Sequence, residues 1–289
     1  RAGGAASAGG QRPQLGGEAL PRAVEAGAAG SSAAAPSLGE LRAVLGDGSC
    51  AFGEPQHGWD EVSHEGVMVR GPRYLTDRAK VNSGPPLLET LCCDTFQVTN
   101  PDGIPHLSAH PECVVQKLRS IGERRFLFVV NWLVPPKQFA AVFASPVPGA
   151  EGADWPVGPG ASSPSGELLR KFVDSMSDEE RSQRFKMIAW VPEGAWLVKT
   201  AIGKTPTLLG KALKLSYFHI PGDHFEVSIN VFSEPKAKSI TGLVSGAAKG
   251  LVIDMGLLIE GQAPQELPEQ LLGGHRLRRI NFAKLRSPV

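Results

Sequence analysis

The run SITGLVSGAAKGLVIDMGLLI at 239–259 limits the architecture of this chain more than any other feature, because its length is that of a helix crossing a bilayer. Lys249 and Asp254 lie near its middle, and each costs a few kcal/mol in hydrocarbon, so burial within protein is favoured over a membrane span. Gly242, Gly246 and Gly250 recur four residues apart. Read as one helix over 238–259, they form a face that another backbone can approach, or that lines a cavity. Each glycine forfeits about 1 kcal/mol of helix propensity relative to alanine, which implies a packing reason. The run therefore predicts a long buried C-terminal helix gripped by a sheet, with contact to lipid as the second reading.

The remaining sequence supplies that sheet. Apolar and β-branched residues mark strands at 65–70, 87–98, 126–134, 138–147, 186–191, 196–201, 211–219 and 224–232. Pro135-Pro136-Lys137 reads as a hairpin tip, and Pro221-Gly222-Asp223 as a turn in which proline fixes φ and glycine supplies freedom. Helical spacing appears at 111–121 and 167–185. The expected fold class is α+β: a curved antiparallel sheet packed on the long C-terminal helix, helix-grip-like, which can enclose an apolar cavity. More than half of residues 1–39 are Ala or Gly. Too little apolar bulk is present there to offset ordering entropy, so residues 1–56 are predicted to be a disordered leader, with a transit peptide remnant as the second reading. Residues 57–289 are read as one domain, interrupted by an inserted Pro/Gly/Ser-rich loop at 146–166.

Several chemistries are unsupported. A formal charge of +1 gives no global attraction to nucleic acid, and none is expected as a partner. Four cysteines, Cys50, Cys92, Cys93 and Cys113, lack C-x-x-C spacing and read as reduced structural thiols in a cytoplasmic setting. The tripeptide Gly203-Lys204-Thr205 ends like a phosphate-binding loop, but Val198 stands where the loop needs glycine and Pro206 blocks the following helix. His106 and His110 share i, i+4 spacing, yet Pro105 and Pro111 flank them and no acidic third ligand is near, so no metal is expected. No catalytic residues and no cofactor are predicted, and the chain is read as not being an enzyme. Basic residues beside Gly and Pro turns remain: Arg70, Arg73, Lys80, Lys199, Lys204 and Lys211 form the predicted ligand-binding set, suited to an anionic head group. Trp132, Trp190 and Trp196 are read as strand residues of the core.

Four blocks in order carry a family resemblance. They are RGPRYLTDRAKVNSGPPLL at 70–88, RFKMIAWVPEGAWLVKTAIGKTPTLLGKAL at 184–213, the glycine-spaced stretch 242–261 ending in Leu-Ile-Glu-Gly, and ELPEQLLG at 266–273 followed by Arg276-Leu277. Together they resemble the C-terminal domain of the plant Enhanced Disease Resistance Two family over about 67–282. The resemblance implies membrane-linked signalling, including restraint of defence and cell death. Larger plant relatives place this domain after pleckstrin-homology and START modules. The family lends no catalytic residues. The segment HIPGDHFEVSINV at 219–231 and the insertion at 146–166 depart from its pattern. The expected function is a non-enzymatic lipid-binding or membrane-associated regulatory module, cytoplasmic and peripheral at membranes, with a lipid or acidic membrane surface and other proteins as partners. The alternative is a protein–protein interaction scaffold with a filled core.

Overall fold

The computed structural model describes residues 36–45, 50–146, 162–203 and 205–286. Most of the predicted leader, most of the predicted insertion, and Lys204 lie outside the described residues.

In chain order, helix α1 (Leu38–Arg42) precedes β1 (Ala51–Phe52), β2 (Gly58–Glu61), β3 (Met68–Arg70), α2 (Tyr74–Asp77), β4 (Lys80–Asn82) and β5 (Glu89–Gln97). Then come α3 (Val114–Ser120), the hairpin β6 (Leu127–Val134) and β7 (Lys137–Ala144), α4 (Pro164–Asp174) and α5 (Asp178–Ser182). The C-terminal third holds β8 (Phe185–Glu193), α6 (Trp196–Ile202), β9 (Thr207–Leu208), α7 (Leu209–Ala212), β10 (Lys214–Ile220) and β11 (His224–Asn230), followed by α8 (Pro235–Ala247), β12 (Val252–Ile259) and β13 (Gly273–Arg278).

The strands form a six-stranded sheet ordered β1-β2-β13-β12-β8-β9, a five-stranded sheet ordered β10-β11-β6-β7-β5, and the small pair β3-β4. Pairing is antiparallel except for β1 with β2 and β11 with β6. The fold is thus mixed α+β with mostly antiparallel sheets, as predicted. Between the two larger sheets Phe128, Phe172, Phe185 and Phe225 cluster at ring-centroid distances of 5.5–6.4 Å, in tilted, edge-on and stacked pairs. At Gly273 the sheets approach so closely that a Cβ would fall 2.5 Å from the Phe143 ring, so a side chain there would force them apart.

The predicted 238–259 helix is not present. Helix α8 ends at Ala247, a 3₁₀ turn spans Ala248–Gly250, and the remainder is β12, a central strand between β13 and β8. Its sequence VIDMGLLI is a near-continuous apolar run of strand length, which is what burial on both faces demands. Asp254, the charge that argued against a membrane span, is buried and accepts two hydrogen bonds from Arg276 on the neighbouring strand, at 2.6 and 2.7 Å. The helix-grip arrangement of one sheet around one long helix is therefore replaced by two facing sheets with a short α8 alongside.

Three smaller differences have local causes. The 196–201 segment, expected as a strand, is helix α6. The 167–185 helix is two helices, because Ser177 starts a second one: its hydroxyl accepts from the Glu180 backbone while Glu180 accepts from the Ser177 backbone. The fold also begins upstream of His57, with Leu41 of α1 and Leu45 buried in the main core.

Candidate functional site

Strand β8 alternates Lys186, Met187, Ile188 and Ala189, and side chains of successive residues project to opposite faces of a sheet. Lys186 and Ile188 face one pocket, and Met187 and Ala189 face another. Each has a volume of about 510 Å³.

The second pocket is a predominantly apolar cavity. It is lined by β8 and β12 of one sheet, β6 and β7 of the other, helices α6 and α8, and the C-terminal segment carrying Phe282 and Leu285. Helix α8 contributes Ala237, Ile240, Thr241 and Val244, the i, i+3, i+4 pattern of one helical face, and Ala248 of the following 3₁₀ turn continues that row. Gly242, Gly246 and Gly250, predicted to pack or line a cavity, are exposed, and a Cβ on any of them would meet nothing within 4 Å. The cavity therefore lies on the branched-aliphatic face of α8, and the glycine row grips no neighbour.

The first pocket is mixed in polarity and basic. Arg70, Lys80, Lys186 and Lys211 line it with Tyr74, Glu260 and Glu269. Two of these cations are tied down. Arg70 donates to the Gly261 carbonyl at 2.8 Å, pairs with Glu260 at 2.8 Å and lies over the Tyr74 ring at 5.0 Å. Lys186 Nζ sits 2.5 Å from Glu269 Oε1 and 3.7 Å from Glu260, and both of its partners are largely buried. Burial pulls the Lys186 ammonium below the usual lysine range, and the two carboxylates oppose that pull. Lys80 on β4 and Lys211 on α7 are exposed and have no carboxylate at ion-pairing distance among the described residues. Four cations against two carboxylates leave the pocket with an excess of two positive charges. Such an excess attracts an anion.

Three of the six predicted ligand-binding residues, Arg70, Lys80 and Lys211, thus converge in space. Arg73 and Lys199 do not line this pocket. Arg73 is exposed and pairs with Asp77 at 3.4 Å, and Lys199 donates to the Pro192 carbonyl at 3.0 Å. Lys204 is outside the described residues. Lys186, Tyr74, Glu260 and Glu269 were missed by the sequence reading. Their signal is pairing between positions far apart in the chain, which no local pattern reveals. The four cysteines are free and buried, in line with structural thiols.

A family model described as "Protein ENHANCED DISEASE RESISTANCE 2, C-terminal" matches residues 59–281. The chain belongs to this family. It is also 30% identical over 255 residues to the protein "ENHANCED DISEASE RESISTANCE 2-like" of Arabidopsis thaliana, covering 84% of this chain and 32% of that relative. The chain thus spans about a third of the length of the curated relative it matches. No solved structure matches. In this Enhanced Disease Resistance 2 C-terminal domain, the four sequence blocks that carry the family likeness meet at the basic pocket. The first supplies Arg70, Tyr74 and Lys80, the second Lys186 and Lys211, the third Glu260, and the fourth Glu269.

Proposed function

We propose that this domain is a non-enzymatic, membrane-associated lipid-binding module. The observation that carries the reading is the apolar cavity of about 510 Å³ under Ile240 and Val244, which falls within the roughly 300–1,000 Å³ of small-molecule sites. The cavity takes hydrocarbon. The basic pocket on the other face of β8 takes an anionic head group, through Lys80 and Lys211. The two are neighbours, because Thr207 of β9 and Ala212 of α7 line both. One lipid can therefore lie across this sheet edge, with its charge on one side and its chain on the other.

The membrane association in this reading is peripheral, since no helix among the described residues is long and apolar enough to cross a bilayer. The relative's name refers to disease resistance, and we extend to this chain a regulatory role in that setting. A protein-binding scaffold with a filled core is the competing reading, and the apolar space counts against it.

Native mass spectrometry of the purified protein tests the proposal. A co-purifying lipid whose mass disappears on delipidation supports it. A clean apo mass together with no binding to vesicles of phosphatidylcholine and phosphatidylserine overturns it.

A further inference from the structure

Trp196 is the most exposed large apolar side chain among the described residues, at 76%, and Leu197 beside it is 56% exposed. A single exposed leucine is ordinary. An adjacent tryptophan and leucine held outward on a helical first turn are not. Val198, the next residue, is buried and anchors α6 to the fold, so the turn is fixed and its two apolar tips point away from the core. Gly194 sets the approach to this turn: its φ is +152°, and a Cβ on it would meet the Leu251 side chain at 2.7 Å.

We propose that the first turn of α6 is a bilayer-insertion point, where Trp196 and Leu197 enter the interface of an anionic membrane. The idea builds on the lipid-binding reading but is separable from it by experiment. Size selects the occupant. Two side chains present far less than the roughly 800 Å² per partner of a stable protein interface, whereas interfacial membrane binding needs only a few aromatic and aliphatic anchors. Tryptophan has an apolar ring and a polar N–H, the combination that favours the head-group boundary.

Local charge agrees. Lys199 is exposed one turn along α6. Lys249 is exposed on the adjoining 3₁₀ turn, two residues before the Leu251 that abuts Gly194. The acid on this edge, Glu193, is engaged by Arg279. The surroundings of the apolar tip are thus net positive and complement acidic lipid.

The placement has a consequence for ligand entry. Ala201 and Ile202, at the other end of α6, line the apolar cavity. Seating the first turn of this seven-residue helix in the head-group region brings that cavity wall against the bilayer. Hydrocarbon then passes from membrane to cavity along α6 without crossing open water.

The test is co-sedimentation of the full chain with vesicles of phosphatidylcholine and phosphatidylserine, comparing wild type with Trp196→Ala/Leu197→Ala. The bound fraction should fall about tenfold, the scale expected when two apolar anchors are lost. The melting temperature and the native-mass lipid occupancy should stay unchanged, because both side chains are exposed. A second measurement does not depend on the double variant's folding. The fluorescence that wild type shows beyond Trp196→Phe should be quenched by vesicles carrying brominated acyl chains.

Equal sedimentation of wild type and double variant overturns the proposal, as does a wild type that fails to sediment or an absence of bromine quenching. A double variant that loses self-association but keeps vesicle binding would make the patch a contact between copies of this chain, and likewise overturns it. A clean apo mass with Trp196-dependent vesicle binding sinks the cavity reading and leaves the insertion point standing. Bound lipid with Trp196-independent sedimentation does the reverse.

Discussion

Lys186 and Met187 are consecutive on β8, yet Lys186 reaches into the basic pocket and Met187 into the apolar cavity. One strand of the sheet is thereby the partition between a charged compartment and a greasy one. The proposed lipid-binding role depends on this partition, because an amphipathic guest needs both environments within a few ångströms.

The lysines of the basic pocket divide into a structural one and two available ones, and substitution separates them. Lys186→Met leaves the Glu269 carboxylate buried without its ammonium partner. The backbone N–H groups of Arg70 and Gly261 still donate to it, at 3.1 and 3.2 Å, so the cost falls at the low end for broken buried pairs, about 3 kcal/mol. Lys80→Glu/Lys211→Glu changes exposed, unpaired groups and should alter stability by less than about 0.5 kcal/mol. The same double variant should weaken binding to anionic vesicles at least about tenfold. Urea unfolding reads the first effect and co-sedimentation the second.

The cavity makes an opposite-sign prediction for overfilling. In a filled core, Val244→Phe would force neighbours aside at a cost of about 1–3 kcal/mol. Val244 instead borders apolar space of about 510 Å³, so the larger ring gains contacts, and the variant should melt no lower than wild type. It should also lose co-purified lipid in native mass spectra. A large drop in melting temperature would show that the space is not available to a side chain.

Much of this was legible in the sequence where one pattern had one meaning. The hairpin β6–β7 was, because two apolar runs flank a Pro-Pro-Lys tip. The stretch at 238–259 was not, because glycines every four residues and a continuous apolar run are each compatible with a helix. Strand β12 is revealed by its pairing with β8 and β13, elements that begin 67 residues before it and 21 after, which local periodicity cannot register. The basic pocket was half legible for the same reason. Arg70, Lys80 and Lys211 sit at turns and attract notice, whereas Lys186 looks like any strand lysine until Glu260 and Glu269 fold against it.

His275 on β13 gives the domain a specific acid sensitivity. Its ring is fully buried near Phe139 and Phe143, and neither nitrogen has a hydrogen-bond partner among the described residues. Burial pushes its pKa down from 6.5 to about 4. The unfolded chain then takes up a proton below pH 6.5 that the folded chain refuses until about pH 4, so stability is intact above 6.5 and is lost as pH falls through that window. The loss amounts to about 3 kcal/mol. His275→Leu removes both the titration and the desolvated nitrogens, so it should raise stability at neutral pH by about 1 kcal/mol and flatten this part of the acid limb. Urea midpoints measured from pH 7 to 4 check both effects, and parallel curves for the two proteins would refute the assignment.

The glycines of α8 offer the most direct test of how this helix is used. A face that gripped a neighbouring backbone would reject a methyl group, and Gly→Ala there would destabilise by creating a clash. Gly242 and Gly246 instead have open space where a Cβ would go and lie inside the regular helix Pro235–Ala247. Alanine at either position should therefore stabilise the isolated domain by about 0.5–1 kcal/mol through helix propensity alone. The cavity lies on the Ile240 and Val244 face, so lipid occupancy should not change. Thermal melts with and without vesicles decide the matter: a gain in solution that persists on vesicles shows the glycine face to be free. A gain that reverses only in the presence of vesicles would mean that this face meets the membrane closely enough to exclude a methyl group.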